Sequence, residues 1–518
     1  MCMKPSNIEV RKHQALKARV LNFTSESAFQ VIICLQSQGE TMTRYVIVLI
    51  LITLPLLCAC DSEEVTDEGD VDDGGIKSLE VRMAIFDDIW QKFADDYAGF
   101  SARDVDWNKV REKYRKEIEK VDDKAGFYAI LSRIFSELQD GHARISFRSL
   151  CDNDESDSND YFVLDDWYSR IGVCVTPLDN SRLLVYRADD DNPAQLQTGD
   201  MILGYDGRPW ALLLEDIEKM NIPVCGMHAS ADPAEQYLKL GSVVNNSHLF
   251  SQMDVLRIGS TMPESIETAK LVSNGPLMLC PDQLVLEDVY FPWTNVEEEK
   301  YWSDISWGIL SSHNIGYIYV YSWNKKAAEE FTVAVEELLE TDALIIDQRF
   351  NMGGEVTKTE GLSFLFGSDV DDIMTCVHRK SQSDYETLTT SGGHSYSIED
   401  TEPIEYMKPI AVLTGHKAAS SGDIFPYFMK HHPHARTFGR LTEGSFGEVT
   451  EFWNPDPYIN DISVSYTECV MLDKDHVVLQ GSVQNPNEEV WLTQEDVING
   501  IDTVVEAAIK WINEELGR

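Results

Sequence analysis

The sequence predicts a multidomain α/β protein, and three patterns along its 518 residues carry that prediction. From about Leu79 to Leu138, apolar residues recur at three- and four-residue steps, the period of helices with one buried face. Short apolar runs between Gly and Asp turns follow from Ile171 to Tyr205, as in a compact β-rich module. From Ile315 onward strand-like and helix-like segments alternate, as in helices layered on a sheet. The length suggests about three domains, and a hydrophobic content of 43% rules out a wholly disordered chain. A formal charge of −45 argues against nucleic acid as a partner, because binding phosphate needs clustered Lys and Arg.

The N-terminal part reads as targeting rather than fold. Val46 to Leu57 is a twelve-residue apolar run, too short to cross a bilayer at about 20 residues per span. With Met42 and Arg44 ahead of it, it reads as a signal peptide over residues 42–60. Its end, Leu57-Cys58-Ala59-Cys60, resembles the lipobox of bacterial lipoproteins, in which cleavage leaves Cys60 lipidated. That implies a lipid anchor in the cell envelope, facing the periplasm or the surface. Residues 1–41 read as a non-native upstream extension. Residues 61–77 read as an acidic tether, with eight carboxylates in the first thirteen positions.

Residues 78–150 are expected to form a helical domain, 160–260 the β-rich module and 300–518 the α/β core. The loop Cys151 to Asp160 is acidic, but Asp157 and Val163 stand where an EF-hand needs Gly and Glu. Strands are expected at Ile171 to Val175, Leu183 to Tyr186 and Met201 to Tyr205, and the stretch Ala211 to Asp304 gives mixed signals. In the core the pattern predicts strand Ile315 to Tyr321, helix Ala327 to Leu339 and strand Leu344 to Asp347. Strand Ile410 to Thr414 and helix Gly422 to Met429 follow, and then a capped helix after Thr493 running to Ile512. Six Cys remain beyond the signal, none as C-x-x-C. Scattered thiols in a large core are more often reduced than bridged, and their redox state stays open.

Three places could carry chemistry. Ser420 lies between an apolar strand and a helix, where a nucleophile profits from the positive helix end and the Ser421 N–H points toward a developing oxyanion. A serine there is otherwise an N-cap. Asp347 to Gly354 (DQRFNMGG) ends a buried strand in the pair Gly353-Gly354, which can turn backbone N–H groups toward an anion or simply make a tight turn. His142 follows Asp140-Gly141 between a helix and a strand, and imidazole is the usual base for a serine hydroxyl. His431, His432 and His434 lack a carboxylate or Cys companion and read as surface histidines.

In order along the chain, Leu138 to His142 (LQDGH), Gly199 to Gly207 (GDMILGYDG), Ile315 to Ile318, Asp347 to Gly354, Ser420 to Asp423 (SSGD) and Gly439 to Gly444 (GRLTEG) resemble the C-terminal processing, or tail-specific, serine peptidases. Ser445 stands where the Ser-Lys members carry Lys, so the resemblance is to the tricorn-like branch with a His base. It implies a crotonase/ClpP-like α/β core, a PDZ-like module beside the active site, a polypeptide substrate, and neither metal nor cofactor. Carried over, Ser420 is the nucleophile, His142 the general base, and the N–H groups of Ser421, Gly353 and Gly354 the oxyanion hole. Two positions depart from the branch: Gly141 where it has Ser, and Gln480 where it has Glu. Gln480 then becomes the candidate for orienting His142. The opposing class is a peptide-binding lipoprotein that keeps the scaffold without competent catalysis.

Overall fold

The computed structural model describes residues 78–151, 161–179, 181–271, 277–286, 303–355, 369–398, 406–450, 452–455 and 461–518, together with positions 76, 289, 362, 365 and 366. The signal peptide, Cys60, nearly all of the acidic tether and most of the acidic loop after Cys151 lie outside them. No helix among the described residues is long and apolar enough to cross a membrane.

The α/β core is built on a sheet of six strands among the described residues. In spatial order they are Ile305–Leu310, Ile315–Val320, Ala343–Asp347, Ile410–Thr414, Ala435–Gly439 and Glu488–Glu489. The first pair is antiparallel and the rest are parallel. Helix Lys325–Glu337 joins the second strand to the third, and helix Ser421–Met429 joins the fourth to the fifth. These two crossovers cover one face of the sheet and helix Thr503–Glu515 the other, which is why Ala343–Asp347 and Ile410–Thr414 are buried at every position and apolar up to their closing Asp347 and Thr414. One face packs on Phe331, Phe425 and Phe428, the other on Val505, Ile509 and Ile512 of helix Thr503–Glu515.

The C-terminal helix expected as one piece is two, Gln494–Ile498 and Thr503–Glu515. Gly500, at φ 71°, turns the chain between them. Each piece has its own cap: Thr493 accepts the Asp496 N–H, and Asp502 accepts those of Val504 and Val505.

Helices Leu79–Asp96, Trp107–Ile118 and Lys124–Leu138 enclose an aromatic cluster that includes Phe93, Trp107 and Phe135. Asp106 and Asp123 cap the second and third, as their side chains accept main-chain N–H groups three residues on. Ile76, at the end of the expected tether, is buried in this cluster, and so are Ile462 and Val464 from far along the chain. The reason is a strand pair: Arg144–Phe147, directly after His142, runs antiparallel to Ile462–Ser465.

The β-rich module orders its strands Glu264–Glu267, Gln252–Leu256, Met201–Tyr205, Arg182–Ala188 and Val173–Asp179, all antiparallel. The stretch left unplaced by its mixed signals supplies helices Trp210–Ile217 and Asp232–Gly241 and the two strands that begin this order. The redox state left open by the sequence is resolved against the commoner reduced form: all six described Cys pair, as Cys151–Cys225, Cys174–Cys280 and Cys376–Cys469. Of the three histidines read as surface residues, His431 is exposed and His434 partly exposed, and only His432 needs correction. His432 is buried with its Nε2 on the Leu365 carbonyl and its ring against Phe366, while its neighbours His431 and Pro433 face solvent.

Candidate active site

Two neighbouring parallel strands end at the same edge of the core sheet. Ala343–Asp347 leads into the Gly353-Gly354 turn and Ile410–Thr414 into Ser420, so pairing in register delivers both to one place. An added Cβ on Gly353 would sit 2.8 Å from the Ser420 Cβ and 3.3 Å from its Oγ. Both glycines have positive φ, 96° and 122°. Ser420 occupies the N-cap position of helix Ser421–Met429, yet its side chain caps nothing and its backbone sits at φ 56°, ψ −115°. That is a strained setting for a residue with a Cβ, and it separates Ser420 from an ordinary capping serine.

The turn is braced from behind. Arg349, fully buried, bonds Asp347 at 2.6 Å and Asp502 at 2.9 Å, and Tyr317 donates to Asp347. One oxyanion expectation needs correction: the Gly353 N–H is held by the Asn351 Oδ1 at 2.9 Å, a local turn in which the carboxamide stands where an oxyanion would. Gly354 and Ser421 remain as the candidate donors. Asn351 itself is fixed by its own Nδ2 on the Val320 carbonyl.

His142 is buried, and no described hydrogen bond joins it to Ser420; its Nδ1 has no partner. Burial pushes its pKa down to about 4, with Asp140 opposing that shift and Arg144 adding to it. Gln480 does not orient the ring. Its Oε1 accepts the Gly447 N–H at 2.7 Å and its Nε2 donates to Asp140 Oδ1 at 2.9 Å, which commits the amide one residue pair away from the imidazole.

Between nucleophile and base runs the segment Thr442 to Gly447. Its Glu443 N–H donates to Ala418, two residues before Ser420, and the N–H groups of Gly444 and Ser445 donate to Asp423. On the other side an added Cβ on Gly141 would come within 2.0 Å of Glu443 Oε1 and 2.5 Å of Ser445 Oγ. The departure at 141 is therefore steric: this chain has filled that space with Glu443 and Ser445. Ser445 Oγ donates to Glu443 and meets Ser230 Oγ at 2.7 Å, and Ser230 accepts the Gly141 N–H. Burial raises Glu443 to about 8 and Asp423 to about 7.

Sequence reasoning missed Glu443, Asp140, Asp423 and Ser230. Asp140, Asp423 and Glu443 carried a local signal, by lying inside the LQDGH, SSGD and GRLTEG segments. A cavity of about 190 Å³ opens beside this segment, walled by Leu164, Trp167, Leu238, Met352 and Glu443, with Asp166 and His416 at its edge.

Residues 314–488 match the model of peptidase family S41, and residues 80–136 match that of the tricorn protease C1 domain. The crystal structure of mature CPAF is similar at TM-score 0.59 and 15% identity, covering 84% of this chain and 97% of that one. Mature CPAF complexed with lactacystin gives TM-score 0.59 at 15% identity, covering 85% and 99%. The photosystem II D1 C-terminal processing protease gives TM-score 0.40 at 15% identity, covering 81% and 96%. Fold and matched segments together define a peptidase. More narrowly, the core matches peptidase family S41 over residues 314–488, which together with the tricorn C1 match ahead of it supports a tail-specific peptidase.

Proposed function

We propose that the chain is a serine endopeptidase that cleaves extended or unfolded polypeptides, with Ser420 as nucleophile and His142 as general base. The observation that carries this reading is the strained, non-capping Ser420 at a helix N-terminus, packed against Gly353. Ser420 Oγ attacks the substrate carbonyl carbon while His142 takes its proton; the C–N bond then breaks as the amine leaves with that proton, and water hydrolyses the acyl-enzyme. The N–H groups of Ser421 and Gly354 receive the oxyanion. The cavity beside Met352 receives a substrate side chain. The β-rich module acts as the PDZ-like element that captures an extended segment by strand addition, in keeping with its exposed outer strand Glu264–Glu267.

The test is hydrolysis of an unfolded protein by the fragment lacking everything through Cys60, compared with Ser420→Ala, with products read by mass spectrometry. Cleavage lost in the variant is expected; equal cleavage by both overturns the assignment. A second reading, a peptide-binding scaffold with impaired catalysis, is favoured by the unpartnered Nδ1 of His142 and by the occupied Gly353 N–H. A folded fragment that binds peptide, does not cleave and leaves a serine-reactive phosphonate unattached would support it.

We also propose that Cys60 is lipidated and holds the protein in the bacterial cell envelope. Three disulfides in one chain suit an oxidising compartment outside the cytoplasm. Cys60→Ala is expected to abolish metabolic lipid labelling, and labelling that persists refutes the anchor.

A further inference from the structure

A base that takes a proton from serine becomes an imidazolium, and a buried imidazolium needs an anion near it. In this chain the ring's Nδ1 meets no carboxylate. We infer that Asp140 supplies the anion and that Gln480 holds it in place, so that Asp140 is the positioning residue of His142. This rests on the assignment of Ser420 and His142 made above.

Asp140 is completely buried two residues ahead of His142, and five donors converge on it, four of them from distant parts of the chain, with Ser230 Oγ the longest at 3.5 Å. The His142 N–H reaches Oδ1 at 3.0 Å and Gln480 Nε2 reaches the same oxygen at 2.9 Å. Tyr97 and Thr467 donate their hydroxyls to Oδ2 at 2.9 and 2.8 Å. Five donors on two oxygens satisfy the acceptor capacity of a buried carboxylate. The bond to the His142 N–H ties the anion to the backbone that carries the base, so its field and its anchoring act on one residue.

The Gln480 amide has one orientation in this network. Gly447 N–H needs an acceptor, which sets Oε1 there and turns Nε2 toward Asp140. A glutamate at 480 would keep the Gly447 bond but place a second carboxylate oxygen 2.9 Å from Asp140 Oδ1. Like charges at that distance cannot both stay ionised in a buried site. Asp140 and Gln480 are thus a matched pair that puts one negative charge beside the base, from position 140. The other charged groups at this loop do not replace it. Arg144, with its Nε on the Gly141 carbonyl, disfavours the imidazolium, and Glu443 is kept neutral at pH 7 by burial.

The test uses Asp140→Asn and Gln480→Glu in the fragment lacking everything through Cys60. Asp140→Asn is expected to lower kcat at least 100-fold with KM within threefold, and to lower the NMR titration midpoint of the His142 imidazole by half a pH unit or more. A purely structural Asp140 would leave that midpoint where it is. Gln480→Glu is expected to give no gain in kcat beyond twofold, because the anion is already present and the new pair must share a proton. A tenfold gain in Gln480→Glu, or an unmoved midpoint with kcat within threefold in Asp140→Asn, overturns the inference. If Asp140→Asn fails to fold, the Gln480→Glu arm decides. If the unmutated fragment proves inactive, the peptidase reading fails separately, and the imidazole titration still decides the role of Asp140.

Discussion

The two halves of the site are held by different means. On the nucleophile side, Ser420 and the Gly353-Gly354 turn hang from adjacent parallel strands, and main-chain pairing in register brings them together. On the base side, His142 sits on a loop held by side chains: Ser230, Thr467, Gln480 and Tyr97 reach it or its neighbour Asp140 from four places in the chain, and Ser445 backs Ser230. The nucleophile is therefore positioned by the same hydrogen bonds that make the fold, whereas the base loop, which runs into the paired strand Arg144–Phe147, is held in addition by a polar side-chain network. Backbone placement tolerates sequence change provided the strands stay paired, whereas the base network fails if one distant side chain is lost.

The exception on the nucleophile side is the Arg349 brace, and breaking it is the largest effect expected. Asp502→Ala strips one of the two carboxylates from a fully buried guanidinium and also removes the cap of helix Thr503–Glu515. Loss of a buried partner costs about 3–5 kcal/mol. Denaturant unfolding should show a loss of that size, and a loss below about 1 kcal/mol would mean that strand pairing alone holds the turn. Gly353→Ala comes next. Its Cβ would press on Ser420, and φ 96° disfavours any side chain, so the turn must shift away from the nucleophile. Displacing an oxyanion donor costs about 10²–10³-fold in kcat. The same substitution at Gly259, where φ is 73° and nothing lies near an added Cβ, should carry backbone strain without loss of activity.

How much of this was legible follows the same division. Strands Met201–Tyr205 and Ile410–Thr414 and the helix after Ser420 were visible because apolar period and glycine turns are local signals. The Gly353-Gly354 and Ser420 segments were visible as strand-to-turn junctions for the same reason. Asp140 looked like a turn residue, since its partner Thr467 is 327 positions away, and Glu443 stood out only as part of the GRLTEG segment, because its burial depends on Gly141 and Ser230 arriving from elsewhere. The disulfides, with separations of 74, 106 and 93 residues, were hidden likewise. The long hairpin Val370–Ser381 and Asp384–Ile398 escaped because its second strand is rich in Ser, Thr and Gly and exposed on both faces, so it shows no alternation.

The smallest expected effect concerns the strap that joins the two halves. Glu443 titrates at about 8 in the folded chain against an ordinary 4.5, so its neutral form is favoured by folding. Its contribution is fully present below pH 4.5 and is lost as pH rises through 8, at up to about 1.4 kcal/mol per pH unit. Asp423, at about 7 against 3.8, has the same sign. His142, at about 4 against 6.5, has the opposite one: its contribution is complete above pH 6.5 and is lost as pH falls through 4. Stability is therefore expected to peak on the acid side of neutrality and to decline from pH 6.5 to 8. Glu443→Gln keeps an acceptor for Ser445 Oγ and removes one of the two carboxyls, so its unfolding free energy should fall less steeply over that interval. Equal slopes in the two proteins would mean that Glu443 is ionised in the fold and paired, and the strap would then tie nucleophile to base by charge, erasing the contrast between the two halves.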